Sequence, residues 1–187
     1  MIAVYIVIAV VVLAAVAYVL INNSMIGARN KCDEAWSGID VQLKRRHDLV
    51  PNLVETVKGY AAHEQQTFSR VTDARAGAIA AENAPPAERA QAESQLSAAL
   101  GGIQAVAEQY PQLRAADNFL SLQAQLAEIE DEIQASRRIY NSNVQIYNTR
   151  IQVFPNSLVA ARGDFEPGEF FEIETPADRQ VPQVSFT

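Results

Sequence analysis

The chain opens on an uncharged apolar run, and that run limits what the rest can be. Residues Ile2 to Ile21 read IAVYIVIAVVVLAAVAYVLI, without a charged side chain, a proline or a glycine. At about 1.5 Å of rise per residue, twenty helical residues reach about 30 Å, the thickness of the hydrocarbon core of a bilayer. Tyr5 and Tyr18 lie near the two ends, where amphipathic rings favour the interface. Ala15-Val16-Ala17 resembles a signal-peptide cleavage site, and a cleaved signal is the rival reading. No Lys or Arg precedes the run, however, and it exceeds the roughly 7–15 residues of a signal core. Residues 1–22 are therefore read as a transmembrane anchor that stays attached. Arg29, Lys31, Lys44, Arg45 and Arg46 all stand downstream of it. The positive-inside tendency then puts the N-terminus outside the inner (cytoplasmic) membrane and the large C-terminal part in the cytoplasm.

Beyond the anchor the chain patterns as long helices. Trp36, Leu43, Val50, Val57 and Val71 recur at heptad spacing, with Glu64 interrupting the row. Ile39, Leu53/Val54, Tyr60/Ala61 and Phe68 form a companion row. Together they predict one helix from about Asn22 to Glu82. Pro51 lies inside it and removes one backbone bond, which predicts a kink; the stripe keeps its phase across Pro51, which argues against a turn. Asn83-Ala84-Pro85-Pro86 stops this helix, and Glu88 suits the first turn of a second. Leu96, Leu100, Ile103, Val106 and Tyr110 mark that helix, which Tyr110-Pro111 ends. Gly101-Gly102 inside it costs about 2 kcal/mol against two alanines. The pair fits a close helix approach, a bend or a weak spot. From Asp117 the pattern is cleanest: Phe119, Leu126, Ile133, Tyr140, Tyr147 and Phe154 fall seven apart. Leu122, Ile129, Val144 and Ile151 fill the second seam position until Pro155. Residues 157–161 are expected to add one or two short turns.

No convincing strand-like run appears before Phe165. The fold class is therefore all-α. The transmembrane helix continues into an antiparallel bundle of three long helices plus a short C-terminal turn, residues 23–162. Residues 163–187 form an acidic, aromatic, extended tail. From Arg162 on, Arg162 and Arg179 face Asp164, Glu166, Glu169, Glu172, Glu174 and Asp178. Phe165, Phe170, Phe171, Ile173, Val181, Val184 and Phe186 are interleaved with them. Such apolar content predicts that the tail docks, with Phe165, Phe170 and Phe171 buried against their own bundle or in a groove between subunits.

The same residues exclude several kinds of chemistry. A net charge of −7 argues against binding nucleic acid, which needs a basic footprint. The one cysteine, Cys32, permits no internal disulfide; as a juxtamembrane thiol it is either a lipid attachment point or a bystander. His63-Glu64 begins like a zinc-protease motif, but position 67 is Thr where a second histidine is required. Glu128, Glu130, Asp131 and Glu132 lack the Glu-x-x-His partners of a di-metal bundle and are read as a solvated helix face. Nucleophile elbow, P-loop and dinucleotide fingerprint are all missing. No catalytic, cofactor-binding or metal residue is expected, and no small-molecule substrate. On a straight helix Lys44-Arg45-Arg46 lie roughly 35 Å beyond the membrane end, several Debye lengths from the headgroups. Arg45 and Arg46, with His47 and Asp48 beside Pro51, are expected to form ion pairs within the bundle or with another subunit. The candidate partner and assembly residues are thus Arg45, Arg46, Asp48, Pro51, Phe165, Phe170 and Phe171.

Two blocks of residues carry a resemblance. The first runs from Arg29-Asn30-Lys31 and Ala35-Trp36 through residues 39–54, IDVQLKRRHDLVPNLV, to Val57-Lys58-Gly59-Tyr60 and His63-Glu64. The second comprises Glu108-Gln109-Tyr110-Pro111, Asn118-Phe119, Leu122-Gln123, Leu126, Glu130, Tyr140-Asn141, Tyr147-Asn148 and Phe154-Pro155. Over about residues 24 to 160 the chain closely resembles the LemA family, and Phe165 and Phe170-Phe171 fit that family's aromatic ending. The stretch from Ala74 to Ala92 and the tail after Glu174 lie outside the likeness. The resemblance implies a bacterial, N-anchored cytoplasmic bundle of about four helices without established enzymatic activity. Genes of the family often neighbour membrane proteases of the HtpX type or small TPM-domain membrane proteins, and a relative, MamQ, takes part in building magnetosome membranes. The implied function is a non-enzymatic scaffold or adaptor on the lipid bilayer that self-assembles as a homo-oligomer or holds a membrane partner, a membrane protease among the candidates. The alternative is a membrane-shaping oligomer in the manner of MamQ.

Overall fold

The computed structural model describes residues 1–172; Ile173, Val181, Val184 and Phe186 of the tail lie outside the described residues. Among the described residues six helices follow one another: α1 Ile2–Lys58, α2 Gln65–Ala80, α3 Pro86–Gln109, α4 Pro111–Arg114, α5 Asp117–Gln152 and α6 Asn156–Ala160. Among them there is no strand, so the chain is all-helical as its periodicity predicts.

The expected helix from Asn22 to Glu82 is in fact two. α1 passes through Pro51 without a break but ends at Lys58, and α2 starts only at Gln65. The Tyr60 and Ala61 N–H groups both donate to the Val57 carbonyl, at 3.0 and 2.9 Å, and the Glu64 N–H donates to Ala61 at 3.0 Å. Gly59, a poor helix former, begins the connection. Ala61 stays buried within it and carries the apolar phase across, which is why the heptad rows conceal the break. Glu64, the residue that interrupts the row, stands at the N-cap position of α2.

The other stops act as expected: the Pro85-Pro86 pair opens α3, and Pro111 opens the short α4. On α5, Phe119, Ile129, Ile133, Tyr140, Val144, Tyr147 and Ile151 are buried, while Leu126 is half-buried. Phe154 departs from the expectation, being 79 % exposed and beyond the end of the helix. The residue before a proline is pushed out of the helical region, so Pro155 ends the seam one step before Phe154.

The chain divides into two compact units, each with segments of α1 and α5. One comprises Met1–Gly38 and Arg138–Glu169. In it α1 and α5 run antiparallel in one register: Arg150 Nη1 donates to the Ser24 carbonyl and hydroxyl at 2.9 Å, and Asn143 Nδ2 to the Lys31 carbonyl at 3.0 Å. Trp36 and Tyr140 stack in a tilted arrangement with ring centroids 5.0 Å apart. Through residue 20 the side chains of α1 are exposed, and burial begins at Met25. The other unit comprises Ile39–Arg137 with Phe170, Phe171 and Glu172 of the described tail. Its core draws Val50, Leu53, Val54 and Val57 from α1, Phe68 and Val71 from α2, Leu96, Leu100 and Ile103 from α3, Leu113 from α4 and Phe119 from α5.

Ile133 is fully buried and Glu132 beside it is exposed. Ile133→Ala is expected to cost about 2–5 kcal/mol through lost transfer energy and a cavity. Glu132→Ala is expected to cost under about 0.5 kcal/mol. Urea melts of the detergent-solubilised chain measure both.

Candidate functional site

Along α1 the buried positions 39, 43, 46, 50, 53 and 57 follow the three-four spacing of a helical seam, and one of them is Arg46. Its side chain is fully buried. A guanidinium removed from water needs compensating charge and acceptors. Arg46 finds both on two other helices. Nη2 pairs with the Glu93 carboxylate of α3, and Nη1 donates to Ser97 Oγ of α3 and to Glu130 Oε2 of α5, each at 2.9 Å. Glu93 is fully buried as well, and its second carboxylate oxygen lies 3.0 Å from His47 Nε2. Burial works to raise the Glu93 pKa. The His47 hydrogen bond and the charge and hydrogen bond of Arg46 together outweigh it, so the net shift is downward. One turn earlier, the buried Arg89 of α3 pairs with Asp40 of α1.

Pro51 joins this network through the bond it cannot make. A proline has no N–H, so the carbonyl four residues earlier loses its helical donor. That carbonyl belongs to His47, and Arg75 Nε of α2 donates to it at 2.7 Å. Thus Pro51 frees an acceptor that ties α2 to α1. Its own side chain is exposed. Arg45 and Asp48 lie on the outer side of α1, where with Leu49, Gln125, Glu128 and Ile129 they line a groove of about 310 Å³. Of the four candidate residues on α1, Arg46 and Pro51 therefore belong to the network, while Arg45 and Asp48 do not.

The reading of residues 128–132 as a solvated face needs correction at one position. Glu130 is half-buried and takes a charged donor from Arg46, while Glu128, Asp131 and Glu132 are exposed. Glu93, Arg89, Ser97 and Arg75 escaped the sequence reading. A signal for two of them was present, since Arg89 and Glu93 continue the seam of Leu96, Leu100 and Ile103 toward the N-terminus of α3. A Cβ added at Gly102 would come into ordinary contact with Thr67 of α2, whereas one at Gly101 would face open space in a groove of about 430 Å³ lined also by Leu100 and Leu126.

The first part of the tail lies along its own chain. Tyr140 Oη donates to the Glu169 carbonyl at 2.8 Å, and Tyr147 Oη to the Glu166 carbonyl at 2.9 Å. Asn148 bonds Gly168 twice, donating to its carbonyl at 2.9 Å and accepting from its N–H at 2.8 Å. Burial, with lesser contributions from the charges of Cys32, Glu169 and Asp33, pushes the Tyr140 hydroxyl up to about 12. Phe165 is half-buried, with the Arg29 guanidinium 5.7 Å from its ring centroid. The chain approaches that ring so closely at Gly163 that a Cβ there would stand 2.8 Å from it. Phe171 is fully buried, with Arg137 6.0 Å from its centroid. Phe170, expected to be buried with the others, is 40 % exposed. Cys32 is buried, donates to the Ala28 carbonyl, and has its pKa raised by burial and by Asp33, so it is neither accessible nor activated.

Among the described residues no group of His, Cys, Asp and Glu is arranged to hold a metal ion. The unit of Met1–Gly38 and Arg138–Glu169 has an unusual surface instead. Ile139, Ile146 and Val153, seven residues apart along and just past α5, are 59, 51 and 46 % exposed. Ile146 also lines a groove of about 290 Å³ with Gly27 and Ala28 of α1.

The LemA family model matches residues 35–186. The chain is 27 % identical over 200 aligned positions to magnetosome protein MamQ 2 of Paramagnetospirillum magneticum, covering 92 % of this chain and 74 % of that one. It is 25 % identical to magnetosome protein MamQ of Magnetospirillum gryphiswaldense, over 79 % of this chain and 64 % of that one. To protein LemA of Metamycoplasma hominis it is 29 % identical, over 79 % of this chain and 67 % of that one.

Arg46→Ala leaves Glu93 buried without its counter-charge and is expected to cost about 3–5 kcal/mol. Glu130→Gln, on a partly exposed partner, is expected to cost about 1 kcal/mol. Denaturant melts distinguish them. The sign for pH follows from the depressed Glu93 value. Its stabilisation is complete above the ordinary carboxylate range and is lost as pH falls through the lower folded value. Melting temperature measured from about pH 6 downward is expected to fall, and to fall less steeply in Glu93→Gln.

Proposed function

This chain belongs to the LemA family, and on that footing we propose that it is a non-enzymatic scaffold, anchored in the cytoplasmic membrane by α1, with its helical part in the cytoplasm. The single observation that carries the scaffold reading is the exposed apolar row of Ile139 and Ile146, one heptad apart on α5. Isoleucines at heptad spacing suit packing against another helix. Chains held in one membrane meet at high effective concentration, so even a weak helix contact supports assembly. A second copy of this chain is therefore the first occupant proposed for that row. A different membrane protein, such as a membrane protease, is the other partner class. Anchoring rests on an α1 long and apolar enough to cross a membrane, whose side chains through residue 20 are exposed among the described residues. The basic residues downstream of it support the cytoplasmic orientation.

A membrane-organising role is the second reading, favoured by the relatives named as magnetosome proteins. Cross-linking in native membranes separates the two. Self-links alone favour membrane organisation, and stoichiometric links to one other protein favour an adaptor.

Two outcomes test the first reading. The double variant Ile139→Glu, Ile146→Glu is expected to reduce the assembly mass of the detergent-solubilised chain in light scattering. Its thermal melt is expected to stay within about 0.5 kcal/mol, because both side chains are exposed. Unchanged mass removes this row as the assembly face. A reporter fused at Thr187 is expected to be active only if it is of a cytoplasmic type, and periplasmic activity reverses the orientation.

A further inference from the structure

The register of α5 against α1 places the far end of α5 at a definite height. Asn143 bonds at Lys31 and Arg150 at Ser24, so seven residues along α5 match seven residues back along α1. Continued by two residues, about 3 Å at helical rise, that register sets Gln152, the last residue of α5, level with Asn22, and the turn that carries Phe154 follows. Asn22 adjoins the uncharged run that ends at Ile21. The turn between α5 and α6 thus reaches the height at which the membrane segment begins.

Its side chains suit that height and not water. Phe154 is 79 % exposed, Leu158 54 % and Val153 46 %. Its backbone is also largely self-satisfied, as a segment entering a bilayer must be. The Val153 N–H donates to Thr149 and its carbonyl accepts from Ser157; the Pro155 carbonyl accepts from Leu158, and Pro155 has no N–H to satisfy. Asn156 Nδ2 closes the turn onto the Arg150 carbonyl at 3.0 Å. Arg162, exposed at the end of α6, and Arg150 flank the turn with positive charge, and phosphate headgroups lie just outside the acyl zone.

We propose that the α5–α6 turn is a second membrane contact, in which Phe154, Val153 and Leu158 enter the interfacial zone of the bilayer that α1 crosses. This rests on the anchor reading above. Continuity with the α1 segment selects lipid as the occupant, because a surface at that height beside the span meets acyl chains and headgroups first. The contact would hold the helical part against the membrane at two points, fixing its tilt where a lone span would allow it to swing.

The test is spin-label accessibility in the full chain, reconstituted into vesicles of three parts phosphatidylethanolamine to one part phosphatidylglycerol. Single labels are placed at Phe154→Cys, Gln145→Cys and Leu13→Cys in a Cys32→Ala background, with helicity checked by circular dichroism. Leu13 lies within the span, and exposed Gln145 lies about 13 Å back along α5 from Phe154. At position 154, collision with apolar oxygen relative to a polar nickel chelate is expected to exceed that at position 145 several-fold and to fall below that at position 13. A label at 154 as water-accessible as the one at 145, while 13 stays deep, overturns the proposal and leaves the anchor standing. A label at 154 shielded from both reagents also overturns it, in favour of a protein cover such as a second copy. A water-accessible label at 13 overturns the anchor reading and the proposal with it.

Discussion

The interaction on which the larger unit depends is the ion pair between Arg46 and Glu93, both fully buried. Neither charge is tolerable alone in an apolar seam, so α1 and α3 are held in the one register that brings them together. Glu130 and Ser97 add directional bonds to the same guanidinium, and a half-turn slip of α3 or α5 would break at least one of them. An all-apolar seam would give comparable or greater stability with less definition of register. The charged pair is therefore best understood as a positional device, and Arg89 with Asp40 repeats it nearby. Pro51 extends the device to α2, since the carbonyl it releases at His47 is the one Arg75 takes. Residues 40 to 51 of α1 thus contact α2, α3 and α5 through polar groups, while Leu43 and Val50 fill the space between.

Much of the architecture was legible because its signals are local. Proline pairs and X-Pro steps set the ends of the helices at residues 86, 111 and 155, and heptad rows marked the buried face of α5. The break at residues 59–64 was not legible, because Ala61 preserves the apolar phase through the connection and periodicity cannot tell a buried turn from a buried helix. The site was half legible. Arg46 stands out as a charge at a seam position. Its partner Glu93 lies 47 residues away on another helix, and no periodicity pairs them. Glu130 looked like a member of a solvated acidic run because its neighbours are exposed. Only the three-dimensional position of Arg46 separates it from them.

The tail shows how a compositional reading shifts once hydrogen bonds are counted. Three phenylalanines among acids predicted docking, either on the chain's own bundle or in a groove between subunits. Tyr140, Tyr147 and Asn148 of α5 satisfy the backbone of residues 166 to 169, and Phe171 is buried. Asn148 reads both the N–H and the carbonyl of Gly168, as a neighbouring strand would. This stretch is a strap on its own chain. Releasing it would exchange two tyrosine hydrogen bonds for bonds to water, at roughly 0.5–1.5 kcal/mol each. Among the described tail residues only Phe170 retains substantial apolar exposure.

That strap changes where contact with other molecules is to be sought. Backbone groups of Glu166, Gly168 and Glu169 are engaged, and Arg46, Glu93 and Arg89 each hold an internal partner. In the unit of Met1–Gly38 and Arg138–Glu169, exposed apolar side chains past the anchor lie on α5, α6 and the turn between them: Ile139, Ile146, Val153, Phe154 and Leu158. Exposed aliphatic side chains in such number are costly for a chain surrounded by water, and much less so for one held beside lipid, as proposed above. Their positions divide by height along α5. Residues 139 and 146 lie level with the part of α1 beyond Met25, the face proposed for a protein neighbour, and the turn that follows Gln152 is the part proposed to meet lipid. The same helix that supplies the buried seam thus carries or leads into both surfaces proposed for outward contact, and the bonds of Asn143 and Arg150 to α1 fix its height.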